Sequence, residues 1–172
     1  LESANFQNII PNKDVCVIIS NPGGGIRNKF LNKLEKLKKY LSVDYAGRYK
    51  NNIGGAITHN YNSKEFLDFV SQYKFIISME NSREDTYITE KIIHGLLVKT
   101  VPVYWGSQNV EDYINKERFI DLKSDTDSDI NKSLSMMLNL KKFPHNWLNM
   151  VNQPNIPNNK LTRTIDDILS DI

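Results

Sequence analysis

The chain has 172 residues, of which 40% are hydrophobic and 24% charged, and its formal net charge is +2. This composition is ordinary for one globular domain with a hydrophobic core. Basic residues alternate with acidic ones, so the charge pattern predicts no nucleic-acid partner. The single cysteine, Cys16, lies in an apolar run and is interpreted as an inert core thiol, which excludes disulfides and cysteine-based zinc sites. No apolar run approaches the ~20 residues of a membrane-spanning helix, so no membrane segment is predicted.

The first third of the chain alternates predicted strands and helices. Residues 1–14 are polar and irregular and are predicted to be a linker into a domain of residues 15–172. A continuous apolar run at 15–19 predicts a strand that is buried on both faces, and 43–45 predicts a short second strand. Between them, apolar residues recur every three to four positions over 26–41, which predicts an amphipathic helix.

Three glycines at 23–25 separate the first predicted strand from this helix. They do not form a dinucleotide-binding G-x-G-x-x-G fingerprint, because the last glycine position is Asn28. They predict a tight turn at a helix N-terminus, where backbone N–H groups and the helix dipole favour an anion. Arg27 lies in the first turn of that helix, and its position alone is compatible with either a phosphate contact or a surface charge.

The centre of the chain reads as a strand, a polar loop, a helix and another strand. Residues 74–78 and 101–105 are short β-branched or aromatic runs, and Thr89 is a predicted helix cap between them. The apolar stripe of that helix is predicted to be Ile92, Ile93, Leu96 and Leu97. Ligands of open parallel sheets bind beyond the carboxyl ends of the strands, so the site is predicted at the loop 79–87 and the helix start.

The rest of the chain predicts packing elements and no metal site. Residues 63–71 and 110–114 predict short helices, 119–122 an edge strand, and 161–172 a final docking helix. The aspartates at 125, 127 and 129 resemble the opening of a calcium loop, but the required glycine and closing glutamate are absent, so a helix-capping role is predicted. The next helix is predicted to bury Ile130, Leu134, Met137 and Leu138.

The polar groups of the central loop match the parts of a nucleoside diphosphate. Lys91 in the first helical turn suits a phosphate, and the Glu90 carboxylate can accept two hydroxyl protons from a ribose diol. Asn81 and Tyr87 add an amide and a phenol ring for the ribose and the base. Glu90 could also serve only to compensate the helix dipole, whereas a lysine in a first turn opposes it and therefore points to a function.

The boxes Glu80-Asn81-Ser82, Tyr87-x-Thr89-Glu90-Lys91 and Val101-Pro-Val-Tyr-Trp-Gly106 resemble those of the α-1,3/1,4-fucosyltransferases, in the same order and spacing. The resemblance extends from about residue 15 to 121 and departs from the family at Met79, where an aromatic residue is usual. It implies the GDP-fucose-binding C-terminal half of a GT-B glycosyltransferase, a Rossmann-like three-layer α/β domain with a mainly parallel sheet. It also implies GDP-fucose contacts by Asn81, Tyr87, Glu90 and Lys91, and a diphosphate contact by Arg27.

The reaction that the resemblance implies is inverting transfer of fucose to a glycan hydroxyl, with α-1,3 linkage. Arg27 and Lys91 would stabilise the leaving diphosphate. No cofactor or metal is implied. The base lies on the family's N-terminal acceptor half, which is expected to be a missing partner, and Glu80 and Glu84 are the nearest carboxylates here. Two alternatives stay open: another GDP-sugar donor, or a non-catalytic binding module. Abundant Asn, Lys and Ile suggest a bacterial or viral origin and hence a cytoplasmic location, or the Golgi lumen in a eukaryote.

Overall fold

A parallel β-sheet forms the centre of the computed structural model, which describes residues 9–61 and 63–157. The strands are Lys13–Val17 (β1), Val43–Tyr45 (β2), Tyr73–Met79 (β3), Val101–Trp105 (β4) and Ile120–Asp121 (β5). They lie in the order β2-β1-β3-β4-β5, and every neighbouring pair runs parallel. All residues of β3 are buried, as is usual for a central strand with helices on both faces.

Helices cover both faces of the sheet. Those in the described part of the chain are Gly25–Glu35 (α1), Lys64–Val70 (α2), Glu90–Leu97 (α3), Asp127–Lys142 (α4) and Pro144–Val151 (α5), with 3₁₀ turns at Val110–Asp112 and Lys116–Arg118. Helices α1, α4 and α5 share one apolar cluster with the sheet, whereas α2 and α3 pack in two clusters that contain other strand residues. The sheet is therefore the middle of three layers. None of these helices has both the length and the apolar character needed to cross a bilayer.

The order of the strands creates a crevice at one edge of the sheet. The chain leaves β1 to form β2 on one side, and β3 then lies on the other side of β1. The loops that follow β1 and β3 therefore diverge, which opens a crevice at their carboxyl ends.

The predicted Rossmann-like three-layer fold with a parallel sheet is confirmed, with differences at the ends of elements. Strand β1 begins and ends two residues earlier than the predicted 15–19. Helix α1 ends at Glu35 and not near residue 41, because the chain tightens into i to i−3 hydrogen bonds there. In this segment Leu37 N donates to Leu34 O at 2.9 Å, and Tyr40 N donates to Leu37 O at 2.7 Å.

Two predictions in the C-terminal part were wrong. The aspartates do not cap α4: Thr126 accepts a hydrogen bond from Asp129 N at 3.3 Å, and Asp127 forms ion pairs with lysines of α1. Helix α5 was not predicted, although it begins at Pro144 and a proline at the first helical position loses no intrahelical hydrogen bond. The predicted helix 161–172 lies outside the described residues.

The predicted boundary between a linker, 1–14, and a domain, 15–172, cuts into the sheet. Strand β1 begins at Lys13, and Asp14 is buried. The last two residues of the proposed linker are thus part of the domain, and the remainder of the division stays a prediction.

A buried carboxylate ties the amino ends of the central strands to α4. The two oxygens of Asp14 lie 3.0 Å from Lys74 Nζ of β3 and 2.6 Å from Lys141 Nζ of α4, and Ser42 N donates to Oδ2 at 2.9 Å. Burial alone would raise the pKa of Asp14, but the hydrogen bonds from Lys141, Ser42 and Lys74 lower it below its ordinary value. The charged form is therefore the one that the fold stabilises.

We expect Asp14→Asn to lower the free energy of unfolding by about 3 kcal/mol, because it leaves the buried Lys74 ammonium without its counter-ion. Since the folded-state pKa lies below the unfolded value of about 3.9, Asp14 contributes its full stabilisation above that value and loses it as the pH falls through the folded pKa. Urea unfolding between neutral pH and about pH 3 should show the difference between variant and parent shrinking. The control is Asp68→Asn in the exposed Lys64–Asp68 pair, which should change stability by less than about 0.5 kcal/mol; equal effects of the two variants would contradict the prediction.

Candidate functional site

A cleft of about 580 Å³ lies at the carboxyl edge of the sheet. Four segments contribute to it: the loops that follow β1, β3 and β5, and the end of β4. Its lining residues include Asn21, the glycines at 23–25, Arg27, Glu80, Asn81, Arg83, Trp105, Ser124 and Asp125. The cleft coincides with the crevice that the strand order creates, which is where ligands of open α/β sheets bind.

The glycine turn gives the cleft an uncapped helix N-terminus. Gly24 precedes α1 with a φ of 110°, a left-handed conformation that favours glycine, and no side chain caps the helix. The first N–H groups of α1 therefore lack the acceptor that a capping side chain usually provides. An anion in the cleft could accept their hydrogen bonds.

Arg27 folds back over this turn and lines the cleft from its first helical turn. Its Nη2 donates to Asn21 O at 2.9 Å and to Gly23 O. Its buried Nε has no hydrogen-bond partner among residues 9–61 and 63–157, and burial lowers the pKa of the guanidinium. The positive charge of Arg27 therefore lies next to neutral carbonyl groups, and its Nε–H group remains available as a hydrogen-bond donor.

The other predicted cation, Lys91, is paired with a buried carboxylate. Glu80 has no exposed side-chain surface, and its Oε2 lies 3.0 Å from Lys91 Nζ. The other oxygen, Oε1, accepts hydrogen bonds from Thr89 N at 2.9 Å and Thr89 Oγ1 at 2.8 Å. Thr89 caps α3 as predicted. The residue that follows β3 therefore fixes both the start of α3 and the position of the Lys91 ammonium group, and the Lys91 side chain as a whole remains 32% exposed.

A second cavity of about 110 Å³ brings three of the predicted residues together. Arg27, Glu90 and Lys91 line it, and its walls include apolar side chains of β3, of residues 18–19 just after β1, and of Phe66 in α2. Arg27 also lines the larger cleft, so its guanidinium lies between the two spaces. Asn81 lines the larger cleft, whereas Tyr87 is 40% exposed and lines neither of these two spaces.

His94 also lines the small cavity and is a packing residue. It is 5% exposed and packs edge-on against Phe66 at 4.9 Å between ring centroids. Burial lowers the pKa of its imidazole, although the nearby Glu90 raises it, and Nε2 has no hydrogen-bond partner. The predicted apolar stripe of α3 is correspondingly wrong in part, because Ile93 and Leu97 are 39% and 49% exposed.

Sequence reasoning missed several parts of the site. Glu80 was considered only as a nearby carboxylate, whereas its ion pair and hydrogen bonds make it the group that positions Lys91. Trp105, Ser124 and Asp125 were not assigned to the cleft. Trp105 ends β4, and Ser124 and Asp125 follow β5. These positions could have indicated the cleft, since all strands of a parallel sheet end at the same edge.

The fold and the site define a Rossmann-like α/β domain whose carboxyl edge carries several cations, among them Arg27, Arg83 and Lys91, and an uncapped helix N-terminus. The chain belongs to glycosyltransferase family 10, the fucosyltransferases, whose C-terminal domain matches residues 11–149. It is 36% identical over 105 residues to the alpha-(1,3)-fucosyltransferase FucT of Helicobacter pylori, which covers 61% of this chain and 20% of the relative. It is 37% identical over 95 residues to GDP-fucose protein O-fucosyltransferase 3 of Xenopus laevis, which covers 51% and 20% of the two chains.

Solved structures agree with this assignment. A crystal structure of alpha1,3-fucosyltransferase with GDP-fucose matches with a TM-score of 0.72 and 26% identity, covering 84% of this chain and 40% of that chain. A crystal structure of alpha1,3-fucosyltransferase with GDP gives a TM-score of 0.71 at 27% identity. The chain spans about a fifth of the length of the curated relatives it matches and about two fifths of the solved structures.

We expect a double-mutant cycle to show that Glu80 and Lys91 act as one unit. Lys91→Met should cost about 3 kcal/mol, because it leaves a fully buried carboxylate unpaired. Glu80→Gln should cost about 2 kcal/mol, because it leaves a partly exposed ammonium. The double variant should be more stable than the sum of the two losses by about 1–3 kcal/mol in urea unfolding. Additivity within about 0.5 kcal/mol would show that the pair contributes no coupling.

Proposed function

We propose that this chain is the donor-binding part of an inverting fucosyltransferase that transfers fucose from GDP-fucose to a glycan hydroxyl with α-1,3 specificity. The observation that carries the proposal is the cavity shared by Arg27, Glu90 and Lys91, because these residues come from the first turns of two different helices, α1 and α3, and supply two cations and a diol acceptor. The membership in family 10 and the similarity to a fucosyltransferase structure with GDP-fucose support the choice of donor.

In this proposal the diphosphate binds between the starts of α1 and α3. The uncapped N–H groups of α1 and the unused Nε–H of Arg27 donate to phosphate oxygens. Lys91 presents a partly exposed ammonium that Glu80 already holds in place, so little side-chain entropy is lost when the phosphate binds. The exposed carboxylate of Glu90 accepts the two ribose hydroxyls, and Asn81 and Tyr87 contact the ribose and the base.

The two cations also account for the chemistry on the donor side. An acceptor oxygen attacks C1 of fucose as the bond to the diphosphate breaks, and negative charge develops on the leaving group. Arg27 and Lys91 stabilise that charge more in the transition state than in the bound donor, which lowers the barrier. Glu80 does not serve as the base in this scheme, because its carboxylate is fully buried and committed to Lys91 and Thr89.

The acceptor and its base are assigned to a separate acceptor-binding half. The coverage of about two fifths of the solved structures is consistent with such a half in the whole protein. A cytoplasmic location stays a prediction. With the acceptor half absent, the chain should bind GDP and GDP-fucose without transferring fucose.

Calorimetric titration with GDP tests the proposed site. Lys91→Ala and Arg27→Ala each remove a charge-assisted contact worth about 1.5–3 kcal/mol, so each should weaken GDP binding by about ten- to hundredfold. Arg27→Ala should weaken GDP more than guanosine, which lacks phosphates. Glu90→Gln should have a smaller effect, and that effect should shrink further with a 2′,3′-dideoxy nucleotide.

Lys64→Ala is a matched control, because Lys64 is an exposed lysine in the first turn of α2, its ammonium pairs with Asp68, and it lines neither the cleft nor the small cavity. Lys91→Ala also leaves the buried Glu80 carboxylate without its counter-ion. Arg27→Ala is therefore the independent test, because within the described part of the chain the Arg27 side chain donates to the backbone carbonyls of Asn21 and Gly23 and to no carboxylate. GDP affinities of all three site variants equal to the parent would place the site elsewhere. Tighter binding of GDP-mannose than of GDP-fucose would keep the site but contradict the proposed donor.

A further inference from the structure

Two segments with the same pattern meet at the amino end of the sheet, opposite the cleft. Residues 37–40 read Leu-Lys-Lys-Tyr, and residues 140–143 read Leu-Lys-Lys-Phe. Lys141 Nζ of the second segment donates to Tyr40 O of the first at 2.5 Å. The ion pairs of Asp14 connect β1, β3 and α4 at the same end of the sheet. We call this surface the basic end.

The basic end concentrates positive charge. Its segments, 13–14, 35–44, 74 and 140–143, contain seven lysines and three carboxylates, a net charge of +4 in a chain whose total is +2. The three carboxylates are occupied internally: Asp14 by Lys74 and Lys141, Asp44 by Lys13 and Tyr73, and Glu35 by the Tyr45 hydroxyl. Four lysines of the basic end are exposed and form no ion pair with another described residue: Lys36, Lys38, Lys39 and Lys142.

Two aromatic rings project among these lysines. Tyr40 is 63% exposed and Phe143 is 46% exposed, and Lys142 Nζ lies 5.3 Å from the centre of the Phe143 ring. Compensation of helix dipoles explains a lysine in the last turn of α1 or α4. It does not explain why the side chains of Tyr40 and Phe143, next to those lysines, are exposed to solvent.

We propose that the basic end docks on the surface of an anionic lipid bilayer. Clustered lysines attract anionic headgroups, at about 1 kcal/mol for each lysine near the surface. Aromatic rings with an apolar body insert at the boundary between headgroups and acyl chains. The proposal concerns a surface other than the nucleotide site and does not depend on the proposed function.

A membrane fits the composition of this surface better than a nucleic acid does. All of its cations are lysines, whereas the bidentate recognition of phosphates and bases in nucleic acids favours arginine. The clefts described above lie elsewhere on the molecule, and unspecific strand binding uses a basic groove. Docking through the amino end of the sheet would leave the carboxyl edge, with its cleft, facing the aqueous phase.

Co-sedimentation of the 172-residue chain with vesicles tests this proposal. Vesicles of phosphatidylcholine with about 30 mol% phosphatidylserine should bind the chain at about 50 mM salt. Pure phosphatidylcholine vesicles should bind it at least tenfold more weakly. Raising the salt to about 500 mM should release the chain from the anionic vesicles. Lys38→Glu with Lys39→Glu should lower the partition coefficient for the anionic vesicles at least tenfold. Tyr40→Ser with Phe143→Ser should lower it several-fold while leaving the salt dependence.

Matched controls separate the basic end from total charge and total hydrophobicity. Lys116→Glu with Lys132→Glu makes the same change in net charge at exposed lysines elsewhere, and Leu97→Ser with Met136→Ser removes two exposed apolar side chains elsewhere. Both control pairs should bind within about twofold of the parent. Equal binding to neutral and anionic vesicles, or equal losses in the control pairs, would overturn the proposal. Tighter binding to a single-stranded oligonucleotide than to the anionic vesicles, lost in the same lysine pair, would show that this surface binds nucleic acid and would equally overturn it.

Discussion

The buried carboxylate of Glu80 is the constraint on which the site depends. It stands directly after the central strand β3, and it receives hydrogen bonds from the backbone and hydroxyl of Thr89 and an ion pair from Lys91. A carboxylate removed from water must keep such partners, so the loop 81–88 has to close and α3 has to begin where it does. Glu90 and Lys91 thereby line the same small cavity as Arg27, which lies in the first turn of α1.

Two other buried charges fix the opposite ends of the elements. Arg118 is 1% exposed and donates to Leu96 O, Met150 O and Asn155 Oδ1. The carbonyls of Leu96 and Met150 lie in the last turns of α3 and α5, so the negative ends of two helix dipoles compensate the guanidinium. Burial lowers the pKa of Arg118 to about 10, which still leaves it cationic at neutral pH. With Asp14 at the amino ends of β1 and β3, each charge joins segments that are distant in sequence, while the apolar clusters fill the layers between them.

Local patterns were enough to predict the strands, the parallel sheet and the Thr89 cap, because each depends on neighbouring residues. The roles of Glu80 and Gly106 depend on contacts across the sheet and could not be read from spacing. In the sequence Gly106 only ends a strand, whereas a Cβ there would come within 2.3 Å of the Tyr104 hydroxyl and 2.6 Å of Glu80 Cγ. The same limit applies to charge: lysines that alternate with acidic residues along the chain gather at one end of the folded sheet.

The direction of the helix dipoles explains why a cation is favoured at one end of the sheet and opposed at the other. Lysines such as Lys141 and Lys142 lie in the last turn of α4, where the dipole favours them. Arg27 and Lys91 lie in the first turns of α1 and α3, where the dipole opposes a cation. Glu80 offsets Lys91, but Arg27 has only two backbone carbonyls, and α1 has no acidic residue in its first turn. Among the described residues, no acidic side chain lies in the first turn of α1 and none caps its N–H groups, so the helix start retains positive potential that an anion bound in the cleft would offset.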